Sequence, residues 1–131
     1  MHLLDSNTCI QFLNGKSASV ERRLMGTRPS EIKLCSIVKA ELWYGAARSK
    51  DAPKVMSKLT EFFAPYESLP FNDAAAAEYG RIRELLARAG TPIGPNDLLI
   101  AAIARERGLT LVTHNVREFS RVPGLSIEDW E

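Results

Sequence analysis

Four acidic side chains stand where an apolar run has just ended or a helical pattern has just begun. Asp5 directly follows His2-Leu3-Leu4, and Glu41 lies in SIVKAELWYGA, about a turn and a half past Ser36. Asp97 lies in the first turn of GPNDLLIAAIARERG, and Asn115 and Glu118 come just after LTLVT. Each acid singly has a plain explanation. Gly94 and Pro95 suit a helix start, and a carboxylate in the first turn complements the helix dipole. Four carboxylates on one rim would instead repel and raise one another's pKa, a strain that a cation relieves. Oxygen donors without His or Cys select a hard ion, Mg²⁺ or Mn²⁺. Such a centre suits phosphoryl transfer, because a metal can activate and orient a water and stabilise a leaving oxygen. Cleavage through an RNA 2′-hydroxyl would draw on histidines. The chain has two, His2 at the far end of the first strand and His114 beside the rim, where a strand-end role is the simpler reading.

For the acids to converge, the elements carrying them must end at one edge. HLL (2–4), IKLCS (32–36), YESL (66–69), LTLVT (109–113) and a segment near 125–127 read as short strands. Between them lie helical patterns: one through Ile10 to Leu13 stopping at Asn14-Gly15, and one over 19–25 ending at Gly26. Ser36 is expected to cap a third helix and Pro53 to open a fourth. Asn72 or Asp73 should cap a long amphipathic helix closed by Gly90, and Gly94-Pro95 should start the apolar helix that ends at Gly108. A short turn or helix covers 115–119. Strands separated by helices imply crossover connections, hence an α/β fold with a central, mostly parallel sheet flanked by helices on both faces. Ligands of such sheets bind beyond the carboxyl ends of the strands, where the acids fall.

Bulk composition agrees with this and narrows the classes. At 131 residues, with 45% hydrophobic and 25% charged residues, the chain reads as a single domain, 1–131, with an adequate core. Seventeen basic against 16 acidic residues give a net charge of +1, so any nucleic-acid binding must come from local clustering. Cys9 and Cys35 sit in apolar stretches without a C-x-x-C motif, which argues for buried thiols in a reducing cytoplasm. No segment reads as a signal peptide or reaches spanning length, so no membrane partner is expected.

The segments LLDSNTCI, SIVKAELWYGA, GTPIGPNDLLIAAIA and VTHNVREF, in this order, resemble the motif blocks of PIN-domain ribonucleases. More narrowly, they are similar to the VapC toxins of bacterial type II VapBC toxin–antitoxin modules. The resemblance runs over essentially the whole chain, to the terminal SIEDWE. It implies a PIN-like fold and a cytoplasmic, Mg²⁺-dependent endoribonuclease (Mn²⁺ as substitute) that inhibits translation and growth until a VapB-type antitoxin neutralises it. By the same resemblance Asp5, Glu41, Asp97 and Glu118 are the catalytic acids, with Asp5 and Asp97 as metal ligands. Ser6 is the small hydroxyl residue beside the first acid. Asn115 stands where many members carry Asp, which leaves one metal or two open, and leaves Glu118 as a direct ligand or one acting through water. Ser6 and Asn115 are assigned to substrate or to the surroundings of the metal. The implied product ends are a 5′-phosphate and a 3′-hydroxyl. The implied substrate is RNA, with tRNA preferred and the initiator anticodon loop as its cleavage point, and the implied assembly is a homodimer bound to antitoxin.

Other features carry two readings. LWYGAA (42–47) joins large and small residues, for core packing or for close approach of another chain. Lys16, Arg22, Arg23, Arg28, Lys33, Arg48 and Lys50 are a solvated surface unless several line the rim, where they would contact phosphates. Trp43, Tyr44 and Phe119 are expected in the core first, with base stacking as the alternative. A receiver domain would need an acidic pair after the first strand and a Lys after the last, and neither is present. A non-catalytic PIN-fold binding module, using the acids only as caps, is the competing reading from another class. It predicts that Asp5→Asn changes no activity.

Overall fold

Leu3, Leu4, Ile32, Leu34, Leu111 and Val112 are fully buried, and the strands that carry them form the middle of a five-stranded sheet. The computed structural model describes residues 1–131. The strands are β1 (His2–Leu4), β2 (Ile32–Cys35), β3 (Glu67–Leu69), β4 (Thr110–Val112) and β5 (Ile127–Glu128), in the order β3-β2-β1-β4-β5. Every pairing is parallel, where a mostly parallel sheet was expected. Leu3 pairs with Lys33 on one side and Leu111 on the other, so the carboxyl ends of β1, β2 and β4 lie level.

The helices are α1 (Ser6–Leu13), α2 (Ala18–Met25), α3 (Ser36–Ala47), α4 (Ala52–Phe63), α5 (Asp73–Ala89), α6 (Pro95–Glu106) and the single turn α7 (Val116–Phe119). The chain steps from β1 to β2 to β3 in one direction, then returns past β1 to β4. Right-handed crossovers therefore place the two sets of helices on opposite faces and make the β1/β4 boundary the switch point of the sheet.

Local signals set most helix starts. The carboxylate or hydroxyl of Asp5, Ser17 and Asp51 and the amide of Asn72 each accept a backbone N–H at a helix start. α5 stops at Gly90, whose φ of 70° is the left-handed conformation that only glycine adopts cheaply. Two caps differ from expectation. Ser36 is the first residue of α3 rather than its cap, and Pro53 is the second helical residue behind Asp51. The last strand also begins later than expected, because the Leu125 N–H closes a turn on the Val122 carbonyl.

α6 is the helix that positions the site. Ile100, Ala101, Ala102, Ile103 and Ala104 are all fully buried, so the helix is enclosed on every side over more than a turn. Alanine at three of these five positions lets it lie close to its neighbours, α5 among them. Removing such a run from water stabilises the helix position by several kcal/mol, on the order of 25 cal/mol per Å² of apolar surface.

Candidate functional site

Asp5 is the anchor of the rim. It leaves β1 with its backbone N–H donating to the Val112 carbonyl at 2.9 Å, and only 5% of the residue is exposed. Its Oδ1 accepts the Ser6 N–H at 2.8 Å, and its Oδ2 accepts the Thr113 hydroxyl at 2.8 Å. The caps of α1 and the end of β4 thus hold one carboxylate from two sides. A cap in its local chemistry, Asp5 is also fixed by a bond that spans the switch point.

The other acids attach to this anchor through short polar links. The Ser6 hydroxyl donates to Glu41 Oε1 at 2.6 Å, tying α3 to α1. The Thr113 Oγ1 accepts the Asn115 N–H at 3.0 Å, and the Asn115 amide donates to Glu118 Oε2 at 2.8 Å. Glu118 Oε1 accepts the Gly94 N–H at 2.6 Å, at the start of α6. A Cβ on Gly94 would lie 3.5 Å from Asp97 Oδ2 and 3.6 Å from Glu118 Oε1, so these two carboxylates flank one point of backbone. One line of hydrogen bonds therefore connects Glu41, Asp5 and Glu118. Asp97, at the start of α6, accepts no hydrogen bond from an N–H or hydroxyl of the chain, and its one polar contact is with the Glu118 carboxyl.

The electrostatics follow from this geometry. Burial raises the Asp5 carboxyl above its ordinary value, and the charges of Glu41 and Glu118 add to the rise, while the Thr113 and Ser6 hydrogen bonds oppose it. Asp97 is pushed up to about 6, first by burial and then by the charges of Asp5, Glu118 and Glu41. When protonated it can share that proton with Glu118. Glu118 goes the other way, lowered by the hydrogen bonds from Asn115 and the Gly94 N–H. Two carboxyls raised first by burial and then by neighbouring carboxylates are what a divalent ion would relieve. The donors are all oxygen, which fits Mg²⁺ or Mn²⁺ and not a soft metal.

All six residues singled out in the sequence lie at this rim: Asp5, Ser6, Glu41, Asp97, Asn115 and Glu118. Thr113 was overlooked, because it reads as the last residue of an apolar strand. The available signal was a hydroxyl closing LTLV at the level where Asp5 closes HLL. The Gly94 N–H was likewise read only as part of a helix start. His114 turns away from the acids, its Nδ1 lying 3.0 Å from Asp129 and 3.7 Å from Glu131 near the chain end. His2 pairs with Glu128 at 2.9 Å and packs on Trp130. Cys9 and Cys35 are buried free thiols, and burial pushes Cys35 up to about 11. Of the aromatic residues, Phe119 is fully buried and Trp43 packs edge-on against Phe63, as expected of core. Tyr44 departs from that expectation: it is 66% exposed.

Comparison with known proteins is consistent from end to end of the chain. The PIN domain family matches residues 2–125. The chain is 41% identical over 128 residues to the tRNA(fMet)-specific endonuclease VapC of Salmonella typhimurium, covering 98% of this chain and 96% of that protein. It is 38% identical over 132 residues to ribonuclease VapC2 of Rickettsia felis, covering 100% and 98%. The fold matches a chain in the crystal structure of DNA-bound VapBC from Salmonella typhimurium with a TM-score of 0.93 and 40% identity, covering 99% of this chain and 98% of that one. It matches a chain of VapBC2 from Rickettsia felis, bound to a promoter DNA fragment, with a TM-score of 0.92 and 37% identity, covering 99% and 98%.

Proposed function

The chain belongs to the PIN-domain family and is a VapC-type ribonuclease of the toxin–antitoxin class; on that premise we propose that it is a divalent-metal-dependent endoribonuclease acting on tRNA. The observation that carries this reading is the rim itself. Asp97, which accepts no N–H or hydroxyl, stands with Asp5 and Glu118 at the switch point of a parallel sheet, with its pKa raised to about 6.

Asp5 and Asp97 would hold the ion. Bound there, Mg²⁺ would supply Lewis acidity toward a phosphodiester oxygen and a water of lowered pKa. The chain's own residues do the rest by position. Ser6 and Thr113 keep Asp5 and Glu41 from turning away, so their oxygens would meet the ion and its water without reorganisation. Asn115 and the Gly94 N–H hold Glu118 ionised, where it can accept a proton from an attacking water. The hydrolysis leaves a 5′-phosphate and a 3′-hydroxyl.

The 41% identity to a tRNA(fMet)-specific endonuclease over nearly the full length supports an initiator-tRNA target at its anticodon loop. Unstacked loop bases can be splayed into a cleft in a way that paired bases cannot. Cleavage of that tRNA would halt translation and growth until an antitoxin of the VapB type covers the site. The VapBC structures support such a partner, and the protein would act as a homodimer.

The decisive experiment incubates purified protein with total tRNA in Mg²⁺ or Mn²⁺ against EDTA, beside Asp5→Asn and Asp97→Asn. Metal-dependent cuts, lost in both variants and mapping by end sequencing to one tRNA loop, are expected. Cleavage that survives EDTA, or survives in both variants, overturns the metal mechanism. Wild type that binds RNA and cuts nothing under any metal points to a PIN-fold binding module. Expression without antitoxin should arrest growth, and Asp5→Asn should not.

A further inference from the structure

Next to the acids lies a cleft of about 530 Å³ whose walls hold groups that the phosphodiester chemistry does not use. Ser6 and Glu41 form its inner edge, and Asn7, Asn96, Tyr44 and Arg48 line the remainder. Tyr44 sits on α3 nearly one turn beyond Glu41 and Arg48 one turn beyond Tyr44, so the three share a helix face. Two thirds of Tyr44 is exposed, and its one close aromatic or cationic neighbour is the Arg48 guanidinium, 5.2 Å from the ring centroid. Arg48 pairs with no carboxylate, and the side chains of Asn7 and Asn96 make no hydrogen bond within the chain. A tyrosine ring and a guanidinium paired only with each other, beside two amides without hydrogen-bond partners, are not needed for folding.

We propose that this cleft is a nucleotide subsite in which Tyr44 stacks on the base flanking the scissile phosphate and Arg48 contacts the adjoining phosphate. The proposal rests on the ribonuclease reading of the neighbouring acids and names how their substrate is gripped. Stacking suits an RNA loop, since every unpaired base offers a π-face. An arginine over the ring supplies positive charge beside a site that is otherwise acidic. The amides of Asn7 and Asn96 carry both donors and acceptors and can read a base edge. At Glu118, on the other side of the acids, Arg117 and Arg121 line a second recess together with Asn115. A single strand crossing the rim would thus meet cationic groups on both sides of the acids.

Gly45 supports the same assignment. It follows Tyr44 in the last turn of α3 and lines the cleft, yet a Cβ there would meet nothing within 4 Å. No contact inside the chain calls for glycine, which weakens a helix. Close approach of a ligand's backbone to the helix supplies the reason.

The test measures cleavage of total tRNA and, separately, binding of a fluorescein-labelled single-stranded RNA 12-mer in Ca²⁺. Wild type, Tyr44→Ala, Tyr44→Phe and Arg48→Ala are compared, with thermal melting and sedimentation as controls for folding and oligomeric state. Tyr44→Ala should weaken 12-mer binding and raise KM about 5- to 30-fold with kcat nearly unchanged, and Tyr44→Phe should stay within about twofold of wild type. Tyr44→Ala should also lose less affinity on a 12-mer with abasic central positions. Equal damage from Ala and Phe, an unchanged Tyr44→Ala, or loss of binding only where the oligomer dissociates would overturn the subsite. If wild type binds the 12-mer and never cleaves, while Tyr44→Ala binds poorly, the subsite stands and the nuclease reading falls. If wild type cleaves and Tyr44→Ala cleaves alike, the subsite falls alone.

Discussion

Thr113 Oγ1 donates a 2.8 Å hydrogen bond to Asp5 Oδ2, joining the ends of β4 and β1 at the point where the sheet reverses its winding. Both residues are buried, so water cannot replace the bond. The hydroxyl also accepts the Asn115 N–H and so sets the path of the chain toward Glu118.

Thr113→Val keeps the shape and removes the donor. It should cost about 1–3 kcal/mol, the range for leaving a buried polar group unsatisfied. Urea denaturation in EDTA checks this. The Asp5 carboxyl should rise further, so the variant should bind Mn²⁺ more weakly than wild type. An unchanged midpoint and unchanged Mn²⁺ affinity would show that the bond holds nothing in place.

Asp97 gives metal-free protein a pH dependence of definite sign. Its pKa is about 6 in the folded chain against an ordinary 3.8, so the folded state binds the extra proton between these values. Stability of the metal-free protein must therefore fall as pH rises from about 4 to 6, and the penalty is fully present above that. The raised Asp5 carboxyl acts in the same direction. Glu118 has a lowered pKa, so its stabilising contribution is present at and above its ordinary 4.5 and is lost as pH falls through its lower folded value. Melting in EDTA should show Asp97→Asn more stable than wild type at pH 7.5, with the difference vanishing near pH 4. A difference of opposite sign refutes the repulsion argument.

Metal binding should stabilise the fold without reference to activity. An ion bound only by the folded state adds about 2.7 kcal/mol at one hundred times its Kd. Mg²⁺ or Mn²⁺ should raise the melting temperature of wild type, and more at pH 7.5 than at pH 5, where Asp97 holds a proton. Asp5→Asn and Asp97→Asn should lose most of this rise. A rise that survives in both variants would move the ion elsewhere, to the surface group His114, Asp129 and Glu131 for example.

Gly45→Ala separates stability from substrate grip. Nothing within 4 Å opposes the added methyl, so the variant should gain about 0.5–1 kcal/mol in chemical denaturation. The same variant should bind single-stranded RNA less well, because the methyl enters the cleft. A gain in stability with unchanged RNA affinity would assign the glycine to something other than substrate.

Much of the architecture is legible in the residues because its signals are local. An apolar run closed by Asp5, a Gly94-Pro95 start and a Gly90 stop each act on their own neighbours in sequence, so the helices fall close to where they are expected. The errors have local causes too. Ser36 offered a cap that Cys35 occupies, Pro53 offered a helix start that falls one residue earlier behind Asp51, and a turn at Val122–Leu125 delayed the last strand. Tyr44 was misplaced because LWYG is apolar in type, and which face of α3 meets α4 depends on how the two helices pack. The placement of all six candidate residues at one edge was readable for a simpler reason: in a parallel sheet every strand ends on the same side.

What sequence alone determined is thus the kind of groups available and the edge on which they stand, since residue type and strand direction are properties of the chain itself. It carried oxygen donors without His or Cys, and hence the class of ion to expect. Only the tertiary structure decided which atoms meet. Asp5 and Thr113 are 108 residues apart, Ser6 and Glu41 are 35 apart, and Gly94 and Glu118 are 24 apart. Contacts over such separations depend on the pairing of β1 with β4 and on the packing of α1, α3 and α6, and no window of sequence contains either. The same packing left Asp97 without an N–H or hydroxyl donor and Tyr44 in the open, the two features on which the proposed metal site and base subsite rest.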